Sequence, residues 1–247
     1  MKISAITDVG MVRPENQDFL YVSEGAVGPL PNLCILADGM GGHRAGDLAS
    51  RTAVESMLRH LSAAESAQKL PALLQEGLQQ ANEEVLRLSS ANEAYRGMGT
   101  TLVACVSMDR ELTVLNVGDS RLYLFRDGEL LQITRDHSYV EEMIRQGQMK
   151  KDSAEYRMYK NLITRAVGID PRVEADLFEV ELLAGDLILL CSDGLTNMVE
   201  DEEIRILLGS SASLEEKAGL LVRLAKENGG RDNISVILAD PEEAAVC

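Results

Sequence analysis

No apolar run in this sequence approaches the ~20 residues that a membrane-spanning helix needs; stretches such as Leu187 to Cys191 end after a few positions. The opening Met1-Lys2-Ile3-Ser4-Ala5-Ile6-Thr7-Asp8 is too short and too soon polar for a secretory leader. Basic charge is scarce as well. The 24 Lys and Arg face 40 Asp and Glu, a net charge of −16, which opposes binding to nucleic acid or to an anionic membrane surface unless a cation intervenes. Neither is expected as a partner. Cysteines are few and follow no disulfide or zinc spacing: Cys34, Cys105 and Cys191 lie inside strand-like apolar runs and Cys247 ends the chain. They read as thiols of a reducing compartment, so a cytoplasmic location is expected. Repeats, low-complexity tracts and Pro/Gly/Ser-rich linkers are also missing, and 45% of the residues are hydrophobic. Residues 1–247 are therefore expected to form one domain with a sizeable core.

What is present is a series of short β-type runs: Ile3–Thr7, Phe19–Val22, Leu33–Ala37, Thr101–Met108, Leu112–Val117, Arg121–Phe125, Leu130–Ile133, Leu177–Leu182, Leu187–Cys191 and Asn233–Ala239. Asp127-Gly128 between two of them predicts a tight antiparallel hairpin. Helical spacing appears over 46–62 and over 71–89, where Leu74, Leu78, Ala81, Val85 and Leu88 share a face and Pro71 suits the first turn. A second pair is predicted over 201–208 and 214–228, the latter opened by the capping box Ser213-Leu214-Glu215-Glu216 and closed by Gly229-Gly230. The pattern is that of an α+β protein with stacked antiparallel sheets and flanking helix pairs.

Four aspartates share one setting. Asp38, Asp119 and Asp193 each follow an apolar strand and adjoin a glycine, and Asp232 introduces the last strand. Carboxylates at strand ends can converge on one rim, where they would repel and protonate unless hard divalent cations neutralised them. Aspartate is also common wherever strands turn, and for any single one of the four that reading stands beside the first. Arg13, within Arg13-Pro14-Glu15-Asn16-Gln17-Asp18, can grip a phosphate through its planar fork or be a solvated turn residue. Asp38-Gly39-Met40-Gly41-Gly42-His43 permits close backbone approach to a ligand, but it lacks the Gly-Lys-Ser/Thr end of a nucleotide-binding loop.

In order along the chain, Arg13-x-x-Asn-Gln-Asp18, Asp38-Gly-Met-Gly-Gly-His43, Gly99-Thr-Thr101, Gly118-Asp-Ser-Arg121, Asp136-His137-Ser138, Leu162-Ile-Thr-Arg-Ala-Val-Gly168, Ser192-Asp-Gly194 and Gly230-Arg-Asp-Asn-Ile-Ser235 resemble the PPM, or type 2C, Ser/Thr protein phosphatases, most of all the stand-alone bacterial members. The resemblance runs from about residue 3 to 239. It implies a four-layer αββα sandwich with a metal centre at one end and the hydrolysis of phosphoserine and phosphothreonine in other proteins, in opposition to a bacterial Ser/Thr kinase.

Carried over position by position, the resemblance implies that Asp38 bridges two Mn²⁺ or Mg²⁺ ions, that the Gly39 carbonyl binds one, and that Asp193 and Asp232 complete the other. Asp18 would act through metal-bound water. Asp119 with Asp193 would match a weaker third ion, and Arg13 the phosphate-binding arginine. Ser192 and Asn233 would support the ligands. The nucleophile implied is a water bridging the two core ions, which attacks phosphorus directly. Many eukaryotic relatives carry histidine directly after the Asp-Gly pair, where this chain has Met40, which cannot donate a proton. His43 is the nearby substitute, unless it only caps the following helix or holds the glycine loop. His60 and His137 are expected to be structural. Residues 138–160 resemble the family's variable flap, although Arg157-Met158-Tyr159-Lys160 replaces a His-Pro element common in bacterial relatives. Expected partners are phosphorylated proteins alone, and the protein is expected to be a monomer.

Overall fold

A computed structural model describes residues 1–42, 45–66, 69–151 and 153–241. The described chain runs β1 (Lys2–Asp8), β2 (Asp18–Ser23), β3 (Leu33–Met40), α1 (Ala45–Ala63), α2 (Leu70–Ala91), β4 (Gly99–Thr100), β5 (Leu102–Met108), β6 (Glu111–Val117), β7 (Arg121–Arg126), β8 (Glu129–Gln132), α3 (Tyr139–Arg145), α4 (Ala154–Tyr159), β9 (Asp176–Glu181), β10 (Leu187–Cys191), α5 (Asp193–Thr196), α6 (Asp201–Leu208), α7 (Leu214–Glu227) and β11 (Ile234–Asp240). The ten predicted strands and four predicted helices are all among these. The two-residue β4, the flap helices α3 and α4, and the single turn α5 were not foreseen.

The strands form two antiparallel sheets, one ordered β2-β3-β5-β6-β9 with β4 against β3, the other β1-β11-β10-β7-β8. Alternate residues of each strand face opposite ways, and in the central strands β3, β5, β6, β7, β10 and β11 both faces are buried. Leu36, Val103 and Val114 of the first sheet meet Leu122, Ile188 and Ile237 of the second in a layer between the sheets. Their neighbours Ile35, Ala104 and Leu115 face Met57, Leu61, Leu74 and Leu78 on α1 and α2. On the opposite side, Leu189, Val236 and Leu238 pack on Leu195, Ile204, Leu221 and Ala225 of α5 to α7. The architecture is the expected αββα stack, and each fully buried Leu or Ile contributes roughly 1.5–3 kcal/mol to it.

Local signals set the element ends. Pro71 occupies the first turn of α2, where its missing N–H costs nothing. Ser213 Oγ accepts from the Glu216 N–H at 3.2 Å while Glu216 Oε2 accepts from the Ser213 N–H at 2.8 Å, the predicted capping box of α7. Asp127 and Gly128 both adopt positive φ in the β7–β8 hairpin. Cys34, Cys105 and Cys191 are free and buried within strands. No helix among the described residues is long and apolar enough to cross a membrane.

Candidate metal centre

The topology gathers the aspartates at one end of the sandwich. The start of β2 meets the end of β3, with Asp18 opposite Asp38 in register. The ends of β6 and β10 and the start of β11 point the same way, because their pairings are antiparallel. A cleft of about 230 Å³ results, lined by Arg13, Asp38, Gly39, Asp119, Asp193 and Asp232 among others. Six of the eight residues singled out from the sequence therefore line one cleft. Asp18 lies beneath it, 5% exposed. His43 lies outside the described residues.

The backbone of the cleft is pinned on every side. The Asp38 N–H donates to Thr101 Oγ1 at 2.9 Å, and the Asp38 carbonyl accepts from the Thr101 N–H at 2.9 Å and from Thr100 Oγ1 at 2.9 Å. Here lies the use of Gly99-Thr-Thr101, a motif with no role assignable from sequence. Gly39 donates its N–H to the Gln17 carbonyl at 3.1 Å. A Cβ at Gly39 would collide with the Gly46 carbonyl oxygen, so only glycine fits against the start of α1. Gly118 has φ +103° and packs on Thr101, with a Cβ there falling 2.6 Å from the Thr101 methyl group. Its N–H donates to His137 Nδ1 at 3.2 Å and its carbonyl accepts from the His137 N–H at 2.9 Å, so His137 ties the Asp119 turn down, as expected of a structural histidine. Arg121 forks onto Asp136 (2.9 and 2.7 Å), joining the Gly118-Asp-Ser-Arg121 and Asp136-His-Ser motifs.

Ser192 and Asn233 hydrogen-bond to groups around the cleft. Ser192 Oγ donates to Asp18 Oδ2 at 2.8 Å. Asn233 Oδ1 accepts from the Gln17 N–H at 2.8 Å, and its amide donates to the Val9 and Glu15 carbonyls at 3.0 Å each, which staples the Arg13 loop to β11. Asn197, missed from sequence, donates to Asp193 Oδ2 at 2.8 Å and accepts from Lys160 Nζ at 2.7 Å. Its i, i+4 spacing from Asp193 would have identified it had 193–196 been read as a helical turn.

Electrostatically the carboxylates are crowded. Burial, and then the neighbouring carboxylates, push Asp18 up to about 7, Asp119 to about 8 and Asp193 to about 6, and drive Asp38 well above the ordinary carboxylate range. Asp18 Oδ1 is buried and, among the described residues, has no hydrogen-bond partner, a costly arrangement for a carboxylate. Arg13 Nη2 contacts Asp232 Oδ2 at 2.7 Å at the cleft mouth. Among the described residues no three His, Cys, Asp or Glu side chains close into a preformed ion cage. The donor set is nonetheless all oxygen and anionic, as a hard divalent cation requires. Such ions take one or two direct carboxylates each and keep several waters, so an open rim of aspartates suits them better than a closed cage.

Comparison with known proteins agrees with this architecture. The family model for protein phosphatase 2C matches residues 14–238. The serine/threonine phosphatase Stp of Listeria monocytogenes is 41% identical over 237 residues, 95% of this chain and 93% of its own length. Among solved structures, the serine/threonine phosphatase of S. agalactiae superposes with a TM-score of 0.89 at 36% identity, covering 96% of this chain and 98% of that one. The catalytic domain of the phosphatase PstP, solved with two manganese ions, gives 0.85 at 38% identity, with 97% of each chain covered. The chain belongs to the protein phosphatase 2C family.

Proposed function

We propose that the cleft holds two Mn²⁺ or Mg²⁺ ions and hydrolyses phosphoserine and phosphothreonine in other proteins. The observation that carries this reading is the shared lining: four aspartates and the Gly39 backbone open onto one cleft beside a guanidinium, above a buried Asp18 oxygen that has no partner among the described residues. Asp38 would serve both ions, Gly39 one, and Asp193 and Asp232 the other. Asp18 would act through water, and Asp119 with Asp193 would serve a weaker third ion. When bound, the ions would offset charge on the phosphoryl oxygens and lower the pKa of a water so that it can serve as the nucleophile toward phosphorus.

The chain's own residues do the positioning. Thr100 and Thr101 fix Asp38 through its backbone, and Ser192 orients Asp18. Arg13, half-exposed beside Asp232, can turn its fork onto two phosphoryl oxygens and offset their charge. The departing Ser or Thr oxygen needs a proton, which Met40 cannot give, and His43 is assigned that donation. The protein acts as a cytoplasmic monomer opposing a Ser/Thr kinase. The relatives named serine/threonine phosphatases support the phosphoprotein substrate, and the manganese-bound relative supports the metal. Hydrolysis of a phosphothreonine peptide and of p-nitrophenyl phosphate, with Mn²⁺ and with chelator, tests the proposal. Full turnover under chelation would refute it.

A further inference from the structure

Beside the aspartate cleft lies a second, larger cavity of about 410 Å³ that shares Asp119 and Asp193 with it. Its far wall is the flap, from Ser138 to Lys160. Most of the charged groups around it are already engaged. Arg121 is committed to Asp136 and Tyr123, and Lys160 to Asn197. Asp119 and Asp193 belong to the cleft. What remains is Arg135 on one side and Lys151 on the other, both exposed and, among the described residues, without an ion pair or side-chain hydrogen bond. Of the lining carboxylates, Asp136 is paired with Arg121, while Asp119, Asp193 and Glu141 face the same space. Arg135 and Lys151 are thus two uncommitted cations that face one cavity next to the reacting centre. Val140 and Ile144 of α3 and the partly buried Tyr156 of α4 add an apolar wall, suited to the methylene or methyl stem of an incoming side chain.

We propose that this cavity receives a second anionic side chain of the substrate, a carboxylate or a further phosphate, lying a few residues from the phosphoserine or phosphothreonine in the cleft. The inference rests on the reading of the cleft as a phosphoprotein hydrolase and names which phosphoproteins it prefers. An extended peptide advances ~3.3 Å per residue, so neighbours of the phosphosite reach an adjoining cavity without distortion. Arg135 and Lys151 then supply charge-assisted hydrogen bonds to the anion, with Glu141 setting a penalty against a wrongly placed one.

The test is a set of phosphothreonine peptides in which one Glu, or one second phosphothreonine, is walked through the four positions on either side of the phosphosite, against an all-Ala parent, with Mn²⁺ present. For wild type, kcat/KM of the best-placed anionic peptide is expected to exceed that of the parent by about tenfold. In the double variant Arg135→Ala, Lys151→Ala that ratio falls to near one, and in Arg135→Glu, Lys151→Glu it falls below one. A larger ratio for the second phosphothreonine assigns a phosphate site, and a larger one for Glu a carboxylate site. A wild-type ratio of one at every position, or an undiminished ratio in both double variants, overturns the proposal while leaving the hydrolase reading intact. Failure to turn over any peptide, the parent included, overturns both.

Discussion

The aspartate cleft and the flap are built on opposite terms. In the cleft, backbone groups are fixed from several directions. Asp38 is pinned by two threonines, Gly39 is pressed on the start of α1, and Gly118 is held through both backbone groups by His137. Its carboxylates are held together against their own repulsion. In the flap, α3 buries Val140 alone and α4 buries nothing, and several charged side chains lie in solvent. A strongly determined site is what phosphoryl chemistry demands, since its groups must already stand where charge develops. A weakly determined wall is what recognition of varied protein segments permits.

The largest expected effects lie on the cleft side. Asp38→Asn, or chelation of the wild type, is expected to lower turnover of p-nitrophenyl phosphate by at least ~10²-fold, since the ions are the main source of charge stabilisation. The asparagine keeps the volume and the backbone hydrogen bonds, so the melting temperature should hold. Near-normal rates in the variant would strike Asp38 from the ligand set. Ser192→Ala removes the hydroxyl that orients Asp18, and losses of this kind cost about 10–100-fold in metal affinity or activity. A titration of activity against Mn²⁺ concentration should move to higher metal for this variant, and an unmoved curve would reduce Ser192 to packing. Arg13→Ala should raise KM for phosphopeptides roughly tenfold, as expected for a guanidinium that binds ground and transition states alike; an unchanged KM returns Arg13 to the surface.

The crowding of the cleft also gives a pH dependence. Asp18, Asp119 and Asp193 sit at about 7, 8 and 6 in the folded metal-free chain, against roughly 4 for an unfolded carboxyl. Between about pH 4 and 8 the native state therefore holds more protons than the unfolded one, and stability falls as pH rises through that window. The melting temperature of metal-free protein is expected to drop by several degrees from pH 6 to pH 8, and saturating Mn²⁺ should raise it and flatten the slope. A metal-free profile already flat would mean the cleft does not hold its carboxylates together under strain.

The contrast also explains how much could be read in advance. The sandwich announced itself because each of its strands is a short apolar run between turn residues, and the aspartates announced themselves by standing at the ends of those runs beside glycine. Which of them converge was not readable from spacing. It depends on the antiparallel pairings, such as Asp18 opposite Asp38, and on contacts between residues far apart in the chain, 219 positions in the case of Arg13 and Asp232. The family resemblance supplied that grouping. The flap resisted reading because its helices lack a buried face. Without apolar periodicity, α3 and α4 show only their caps, Ser138 and Ser153. Asn197 was hidden for a similar reason, since α5 is a single turn.

The smallest effect sharpens the comparison most directly. Within the flap, the rings of Tyr139 and Tyr159 meet edge to face at 5.6 Å between centroids and 72° between planes, joining the start of α3 to the end of α4. Such a pair is worth about 0.5–1.5 kcal/mol beyond the area it buries. If the flap opens as a unit distinct from the sandwich, Tyr159→Ala loses that amount from the local opening equilibrium only. Amide hydrogen exchange over 139–160 should then accelerate by roughly three- to tenfold, while protection in β3, β10 and β11 and the global melting temperature stay put. Tyr159 is 42% exposed, so no core cavity confuses the result. A fall of several degrees in melting temperature, with exchange rising across the sandwich as well, would mean that flap and cleft belong to one cooperative unit. The division between a fixed chemical centre and an adaptable recognition wall would then not hold.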